Sequence, residues 1–218
     1  MKKILLPALL GAALLASPAA FAQKSVKTSS KASASSAVAT YKLQPQLSTL
    51  GWEGKAVTHG HNGTMQFTGG DLEVRNNMIV GGTATVDMKS MKATDITDAA
   101  NHAKFVGHMS SDDFFGAEKF PTSTFKITSV APIAGAPADS KTPNATITGD
   151  MTIKGVTQRV SFPAAVGVKN GVASASGKAT IDRTKFGLKY GSKSFFDSIG
   201  DKAINDEFTL DFNVIAKQ

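Results

Sequence analysis

Histidine is the residue type in this sequence best suited to acid–base or metal chemistry, and two of the four histidines lie close together. His59 and His61 are two residues apart, so on a β-strand they share one face and could ligate the same metal ion. A third ligand would have to be an Asp or Glu from elsewhere, and the sequence indicates none. His102 and His108 lie six residues apart in a predicted helix, about 240° around its axis, and form no joint site. The alternative functional hypothesis is therefore a metal-assisted or redox-linked enzyme that uses His59 and His61.

Other catalytic classes lack their characteristic residues. The chain has no cysteine, which excludes thiolate nucleophiles, thiolate zinc sites and disulfide bonds. It also has no serine nucleophile elbow, no phosphate-binding glycine loop and no paired-carboxylate motif. We therefore expect a non-catalytic protein without a cofactor.

The elements that must position any site are predicted from hydrophobic periodicity. From Tyr41 onward apolar and polar residues alternate strictly, which is typical of half-buried β-strands. About eight such segments follow one another, and most are joined by short turns rich in Asn and Gly, of which Asn76-Asn77 and Asn170-Gly171 are the clearest. The fold class is therefore all-β and antiparallel.

One segment departs from this alternation. Residues 94–109 have apolar side chains at helical spacing, and Asp95 and Asp98 lie near the start, where the helix dipole favours anions. The apolar positions of this segment are Ile96, Ala99, Ala103 and Val106. We expect one amphipathic helix that lies across a sheet or closes one end of a barrel.

The apolar faces of the predicted strands contain many small residues. An eight-stranded barrel has an interior that is either filled by side chains or holds one ligand, and Gly and Ala leave much of that interior unfilled. This pattern favours a barrel with an internal apolar tunnel, while a two-sheet sandwich with close sheet contacts remains the alternative. The residues expected to line the tunnel are Trp52, Phe67, Val80, Gly82, Ala84, Val86, Phe125, Ile127, Ile147, Gly149, Met151, Phe162, Ala175, Gly177, Ala179, Phe208, Leu210 and Phe212.

Charge and aromatic content disfavour two other classes of protein. Of the 24 basic residues behind the net charge of +7, five precede residue 40, which leaves 19 against all 17 acidic residues in the rest of the chain. This small excess does not supply the clustered basic face that nucleic acid requires. An outer-membrane barrel carries girdles of aromatic residues, whereas this chain has one Trp and two Tyr.

The first 40 residues are unlike the rest. Residues 1–22 combine a basic start, a short apolar run and the small-residue pattern Ala20-Phe21-Ala22, which predicts a secretory signal peptide and a periplasmic or secreted protein. Residues 23–40 consist largely of Ser, Ala, Lys and Thr, which predicts a flexible tether. Its lysines favour contact with an anionic membrane surface. Residues 41–218 are expected to form the barrel domain.

A polar or charged group on a bound ligand would need partners at the mouth of the tunnel. Residues 183–200 alternate poorly and are rich in cations and aromatic rings, including Lys189 and Lys193, which suits a phosphate or another polar head group. The alternative is that Arg183 pairs with Asp182 or Asp150 and that the lysines form a solvated surface. The residues expected at the head group or mouth are His61, Phe114, Phe115, Arg183, Lys185, Tyr190, Phe195 and Phe196.

Several segments in order resemble the YceI-like family, lipocalin-shaped periplasmic or secreted proteins that bind polyisoprenoid lipids. They are Trp52-Glu53-Gly54-Lys55, His59-Gly60-His61-Asn62-Gly63-Thr64, Phe120-Pro121-Thr122-Ser123-Thr124-Phe125-Lys126, Thr148-Gly149-Asp150-Met151-Thr152-Ile153-Lys154-Gly155 and Ile181-Asp182-Arg183-Thr184-Lys185-Phe186-Gly187. The resemblance covers residues 41–218. It implies an eight-stranded antiparallel lipocalin-like barrel with a long tunnel for an isoprenoid chain, and it implies export. Residues 100–105 are more neutral than in many relatives, so the identity of the ligand does not transfer.

We therefore expect an exported protein that carries or sequesters a long-chain isoprenoid or quinone-like lipid. About 0.8 kcal/mol for each buried CH₂ gives roughly 16 kcal/mol for some twenty carbons, which exceeds association costs of about 4–15 kcal/mol. No nucleic-acid partner is expected, and contact with a membrane surface and a homodimer are further hypotheses. Gly177→Leu and Ala175→Phe are both expected to block ligand uptake while the barrel still folds.

Overall fold

The computed structural model describes residues 37–137, 142–196 and 198–218. The predicted signal peptide and most of the predicted tether lie outside this part of the chain. The described strands are β1 (Ala39–Leu43), β2 (Thr49–Ala56), β3 (Gly60–Arg75), β4 (Met78–Ala93), β5 (Thr122–Pro132), β6 (Ala145–Ile153), β7 (Val156–Lys169), β8 (Val172–Asp182) and β9 (Ile204–Lys217). They are accompanied by one α-helix, α1 (Ala99–Ser110), and by 3₁₀ turns at Pro45–Leu47, Arg183–Phe186 and Gly200–Lys202.

The strands form one closed antiparallel barrel. From β3 to β9 each strand pairs with the next, and β9 closes the ring through β2 and β1. The short strands β1 and β2 both pair with β3 and with β9, so they occupy a single position interrupted by a 3₁₀ turn. The barrel therefore has eight strand positions and one helix, which confirms the predicted fold class. Strand β1 begins at Ala39, two residues inside the predicted tether.

The helix is shorter than predicted, and a different face packs on the barrel. It begins at Ala99 because the Asp98 side chain caps it by accepting a hydrogen bond from a backbone N–H in its first turn. Phe105 and Met109 pack against the barrel together with the predicted Ile96, which precedes the helix, whereas the predicted Ala99 and Ala103 are exposed. The longer side chains bury more apolar area than alanine does. In the described part of the chain no helix has the length and apolarity needed to span a bilayer.

A bulge in β4 changes which residues face inward. The register between β3 and β4 shifts near the start of β4, so Ile79 enters the buried core and Val80 does not line the cavity described below. Gly82 has a φ of +142°, and a Cβ there would lie 2.3 Å from the carbonyl oxygen of Asp71. Glycine at this position permits the close approach of β3. The predicted tunnel positions of Val80 and Gly82 are therefore wrong.

Two other glycines make room for aromatic rings of the barrel itself. A Cβ on Gly149 would lie 2.4 Å from the ring of Phe125, and one on Gly177 would lie 3.2 Å from the ring of Phe212. Phe162 lies between these rings, at centroid distances of 5.4 Å from Phe125 and 5.3 Å from Phe212. Gly149 and Gly177 therefore do not line open space as predicted, because aromatic side chains cover them.

The contact between Gly149 and Phe125 predicts a specific loss of stability. Gly149→Ala places a methyl group against the Phe125 ring and the Lys126 carbonyl, so we expect the free energy of unfolding to fall by about 1–3 kcal/mol. Gly167→Ala is the matched control, because a Cβ there meets only the Ser174 hydroxyl at 3.8 Å. This control is expected to stay within about 0.5 kcal/mol of wild type in denaturant unfolding. Equal stability of the two variants would contradict the packing described here.

Candidate functional site

The interior of the barrel contains an apolar cavity of about 130 Å³, here called the inner cavity. Thirteen of the predicted tunnel residues line it: Phe67, Ala84, Val86, Phe125, Ile127, Ile147, Met151, Phe162, Ala175, Ala179, Phe208, Leu210 and Phe212. Its few polar lining residues are Thr83, Ser123 and Thr124. The inner cavity can therefore hold an apolar chain and offers very little to a charged group.

Some residues of the inner cavity were missed from the sequence. Leu50, Leu72 and Val214 occupy alternating strand positions, so their periodicity could have identified them. Phe115 was predicted at the mouth but also lines the inner cavity; it comes from the segment between α1 and β5, where no periodic pattern predicts which way a side chain points.

A second cavity of about 260 Å³, here called the outer cavity, lies between one end of the barrel and α1. Phe105, His108 and Met109 of the helix line one side of it. The predicted tunnel residue Trp52 lies here rather than in the inner cavity. The side chains that line both cavities are Met65, Phe115 and Phe208. These three therefore form a thin partition between the two spaces.

A row of four rings runs from the buried part of the outer cavity to its exposed edge. Trp52 stacks on Phe105 at 6.0 Å, Phe105 contacts His61 at 4.6 Å, and His61 contacts His59 at 5.5 Å between centroids. At the buried end, the indole nitrogen of Trp52 is shielded from solvent and has no hydrogen-bond partner. A buried N–H without an acceptor is costly, so this atom would gain from an acceptor on a bound molecule that reached it.

The ring of His61 is oriented by an acidic residue. Its Nδ1 lies 2.8 Å from the carboxylate of Asp95, which also accepts a hydrogen bond from the backbone N–H of Asn62. Burial raises the pKa of Asp95, but the hydrogen bonds from His61 and Asn62 outweigh it and leave the pKa below its ordinary value. An ionised carboxylate at Nδ1 keeps the proton on that nitrogen, so Nε2 of a neutral His61 is an acceptor.

The structure supplies no third ligand for the hypothetical metal site. His59 and His61 lie side by side, but Nδ1 of His59 contacts the Thr58 hydroxyl at 3.0 Å and Nδ1 of His61 is held by Asp95. Within residues 37–137, 142–196 and 198–218 there is no group of three or more His, Cys, Asp or Glu that could hold a metal ion. Both histidines line the outer cavity.

Arg183 lines the outer cavity, but its guanidinium is committed to the protein itself. Only 5% of the residue is exposed, and its N–H groups donate to the backbone carbonyls of Leu188, Tyr190, Ile204 and Asn205 at 2.6–3.0 Å. Asp206 lies 3.7 Å away as its ion-pair partner. Arg183 therefore lies at the predicted mouth, but few of its donors remain for a ligand, and its ion-pair partner is Asp206 rather than the expected Asp182 or Asp150.

The other predicted mouth residues separate into two sets. Phe114 and Phe115 line the outer cavity with His61, as the prediction required. Tyr190 lies beside this cavity, where its ring contacts His108 at 4.8 Å and Phe114 at 5.1 Å. Like Tyr190, the remaining predicted mouth residues lie outside the lining of both cavities: Lys185, which pairs with Asp182, and the exposed Phe195 and Phe196. Phe195 and Phe196, which were predicted at the head group or mouth, are therefore surface residues in this structure.

The pairing of Arg183 with Asp206 predicts a pH dependence. Burial raises the pKa of Asp206, but hydrogen bonds from Ser192 and Ser194 and the charge of Arg183 lower it more strongly, so the net shift is downward. A lowered pKa contributes stability that is present above the unfolded-state value, near 4, and is lost as pH falls through the folded-state value. Asp206→Asn lacks this contribution at every pH. The difference in free energy of unfolding between wild type and Asp206→Asn should therefore be largest at neutral pH and shrink below about pH 4.

Denaturant titrations over this pH range test the expectation, and Ser194→Ala provides a graded comparison because it removes only one hydrogen bond to Asp206. We expect this variant to lie between wild type and Asp206→Asn. A difference that stays constant as pH falls would contradict the assignment.

Comparisons with known proteins agree with this architecture. The YceI-like domain matches residues 41–216. A UPF0312 protein of Shewanella denitrificans is 33% identical over 170 residues, which cover 75% of this chain and 73% of that protein. A UPF0312 protein of Pseudomonas putida is 38% identical over 65 residues, which cover 30% of each protein.

Two solved structures have a similar fold. BcnA of Burkholderia cenocepacia superimposes with a TM-score of 0.62 at 20% identity, covering 80% of this chain and 99% of that chain. A polyisoprenoid-binding domain from Saccharophagus degradans gives a TM-score of 0.55 at 14% identity, covering 81% and 97%. The family match spans nearly all of the barrel, from residue 41 in β1 to residue 216 near the end of β9. The chain therefore belongs to the YceI-like family.

Proposed function

We propose that this protein binds a long-chain isoprenoid lipid, with the tail in the inner cavity and the head group in the outer cavity, and does not transform it. The observation that carries the proposal is the almost wholly apolar inner cavity, which adjoins a more polar cavity with an unpaired donor. The similar fold of the Saccharophagus degradans polyisoprenoid-binding domain supports it.

The partition between the cavities sets how far a tail extends. We propose that Met65, Phe115 and Phe208, which line both cavities, move aside when a chain passes from the outer to the inner cavity. Methionine is unbranched and flexible, which suits such a movement. Each buried CH₂ of the tail contributes about 0.8 kcal/mol, so a chain that reaches the inner cavity binds more tightly than one that stops at the partition.

The outer cavity favours a neutral head group over a phosphate. Among the described lining residues the two permanent cations are engaged, because Arg183 donates to backbone carbonyls and Lys55 pairs with Glu53 at 2.9 Å. Glu207 adds a negative charge to the same wall. The donor on Trp52 and the acceptor on His61 suit the hydroxyl of a prenol or the carbonyl of a quinone. We therefore propose a neutral, oxygen-bearing head group.

The same proposal includes the setting of the protein. The signal-peptide pattern in residues 1–22 supports export, so we propose a periplasmic or secreted carrier. Long-chain isoprenoid lipids reside in membranes, so a protein that carries them must also contact a bilayer surface. The homodimer stays a prediction.

Filling the inner cavity should abolish uptake of the tail. Ala175 is 4% exposed and lines this cavity, so Ala175→Phe should reduce the affinity for a long-chain prenol by about ten-fold or more while the barrel still folds. Thr180→Phe is the matched control, because Thr180 is exposed on the same strand. Displacement of a fluorescent prenyl probe measures both affinities.

Gly177→Leu is less suitable for this test than the sequence indicated. A Cβ at Gly177 would lie 2.8 Å from the carbonyl oxygen of Pro163, so the substitution disturbs the sheet itself. Ala179→Leu is the better second variant, because Ala179 also lines the inner cavity. Unchanged prenol affinity in both Ala175→Phe and Ala179→Leu would contradict the tail position.

Removing the polar atoms of the outer cavity should affect only ligands with a head group. Trp52→Phe removes the unpaired N–H, and His61→Phe keeps a ring against Phe105 while it removes both nitrogens. A neutral hydrogen bond contributes about 0.5–1.5 kcal/mol, so each variant should bind a prenol roughly two- to ten-fold more weakly. Binding of squalene, an isoprenoid hydrocarbon without a head group, should change much less.

The ratio of prenol to squalene affinity is the quantity to measure, because it cancels the change in side-chain volume. Wild type should also bind a prenol more tightly than the corresponding prenyl phosphate. Equal ratios in wild type and both variants, or a preference for the phosphate, would contradict the proposed head-group site.

A further inference from the structure

An apolar aromatic surface lies exposed next to the outer cavity. Phe195 and Phe196 are 46% and 50% exposed, and Tyr190 from the same segment is 44% exposed. Val57, in the turn between β2 and β3, is 49% exposed. These four residues are here called the rim surface. Large exposed apolar side chains that cluster in this way mark interaction sites.

The backbone beneath the rim surface is tied to the barrel. Arg183 donates to the carbonyl of Tyr190 at 2.9 Å, and the N–H of Ile204 donates to the carbonyl of Gly191 at 2.7 Å. The N–H of Val57 donates to the carbonyl of Ala203 at 3.0 Å, which joins the turn to the same segment. The backbone at Tyr190, Gly191 and Val57 is therefore held in place, which lowers the entropic cost of binding a partner.

The rim surface adjoins the opening of the outer cavity. The ring of Tyr190 contacts His108 and Phe114, and both of these residues line that cavity. Phe195 and Phe196 follow a segment whose Leu188 also lines it. Any partner bound to the rim surface therefore lies next to the entrance for a ligand.

The charges around the rim surface indicate the class of partner. The ammonium of Lys189 lies 4.5 Å from the ring centroid of Phe195, and Lys193 lies between the exposed rings in sequence. Lys202 follows in the next 3₁₀ turn, beside Asp201. Lysine is depleted at protein–protein interfaces, whereas aromatic rings together with lysines are typical of segments at a membrane surface.

We propose that the rim surface docks on a bilayer containing anionic lipid and places the opening of the outer cavity against it. This inference rests on the proposed function, since a lipid carrier gains from an opening that faces the source of its ligand. Phe195, Phe196 and Val57 enter the interfacial layer, and Lys189 and Lys193 contact anionic head groups.

The test is cosedimentation of the protein with vesicles that contain no isoprenoid. Wild type should bind vesicles of phosphatidylethanolamine and phosphatidylglycerol, and should bind pure phosphatidylcholine vesicles more weakly. Phe195→Ser combined with Phe196→Ser should lower the partition coefficient by about ten-fold or more. Met78→Ser combined with Ile133→Ser is the matched control, because these exposed apolar residues lie at the opposite end of the barrel. This control should bind like wild type.

Three outcomes would overturn the inference. The first is that wild type binds neither kind of vesicle, and the second is that the Phe195 and Phe196 variant binds as well as the control. The third is that wild type is a dimer that only this variant disrupts. The last result would assign the rim surface to a second copy of the chain. If the double variant does not fold, hydrogen exchange of wild type decides the question, because residues 189–196 must gain protection when phosphatidylglycerol vesicles are added.

Prenol binding from solution separates this inference from the proposed function. Phe195 and Phe196 do not line either cavity, so their variant should keep the wild-type affinity for a soluble prenol probe. Loss of vesicle binding with prenol affinity retained supports the docking surface. Failure of wild type to bind prenol overturns the proposed function and leaves the vesicle result to decide the docking surface.

Discussion

Closure of the strand ring is the interaction on which the rest of the structure depends. Hydrogen bonds between β9 and the β1–β2 position leave no open sheet edge, and they fix the width of the interior by the number of strands. With the width fixed, side-chain volume decides whether the interior is solid or hollow. The position shared by β1 and β2 differs from the others in this ring because a 3₁₀ turn interrupts it.

Small and large residues share the interior in a specific way. Gly149 and Gly177 give their space to the rings of Phe125 and Phe212, so small residues there do not enlarge the cavity. Ala175 and Ala179, in contrast, line open space. The inner cavity is therefore bounded by aromatic rings on some walls and by alanine on others. A ligand chain fills the existing empty volume and can also displace side chains that rotate.

Much of the barrel could be predicted from the sequence, because alternation is regular wherever a strand has one buried face. In β6 buried and half-buried residues alternate along the whole strand, as a half-buried strand requires. Val80 does not, because a bulge changes the parity of β4 and leaves no clear signal in the apolar pattern. Arg183 shows a different limit of sequence-based prediction. A basic residue beside a cavity can bind either a ligand or backbone carbonyls, and here the carbonyls are supplied by residues 188–205, which are not adjacent to it in sequence.

The buried Arg183 links the two features that matter most for the proposed carrier. By holding the carbonyls of Leu188 and Ile204 it fixes one wall of the outer cavity, and by holding that of Tyr190 it fixes the base of the rim surface. The same hydrogen bonds withdraw its charge from the cavity, and Asp206 neutralises it. One residue therefore gives the opening a rigid edge and keeps its interior free of uncompensated positive charge, which is the arrangement that a neutral lipid head group requires.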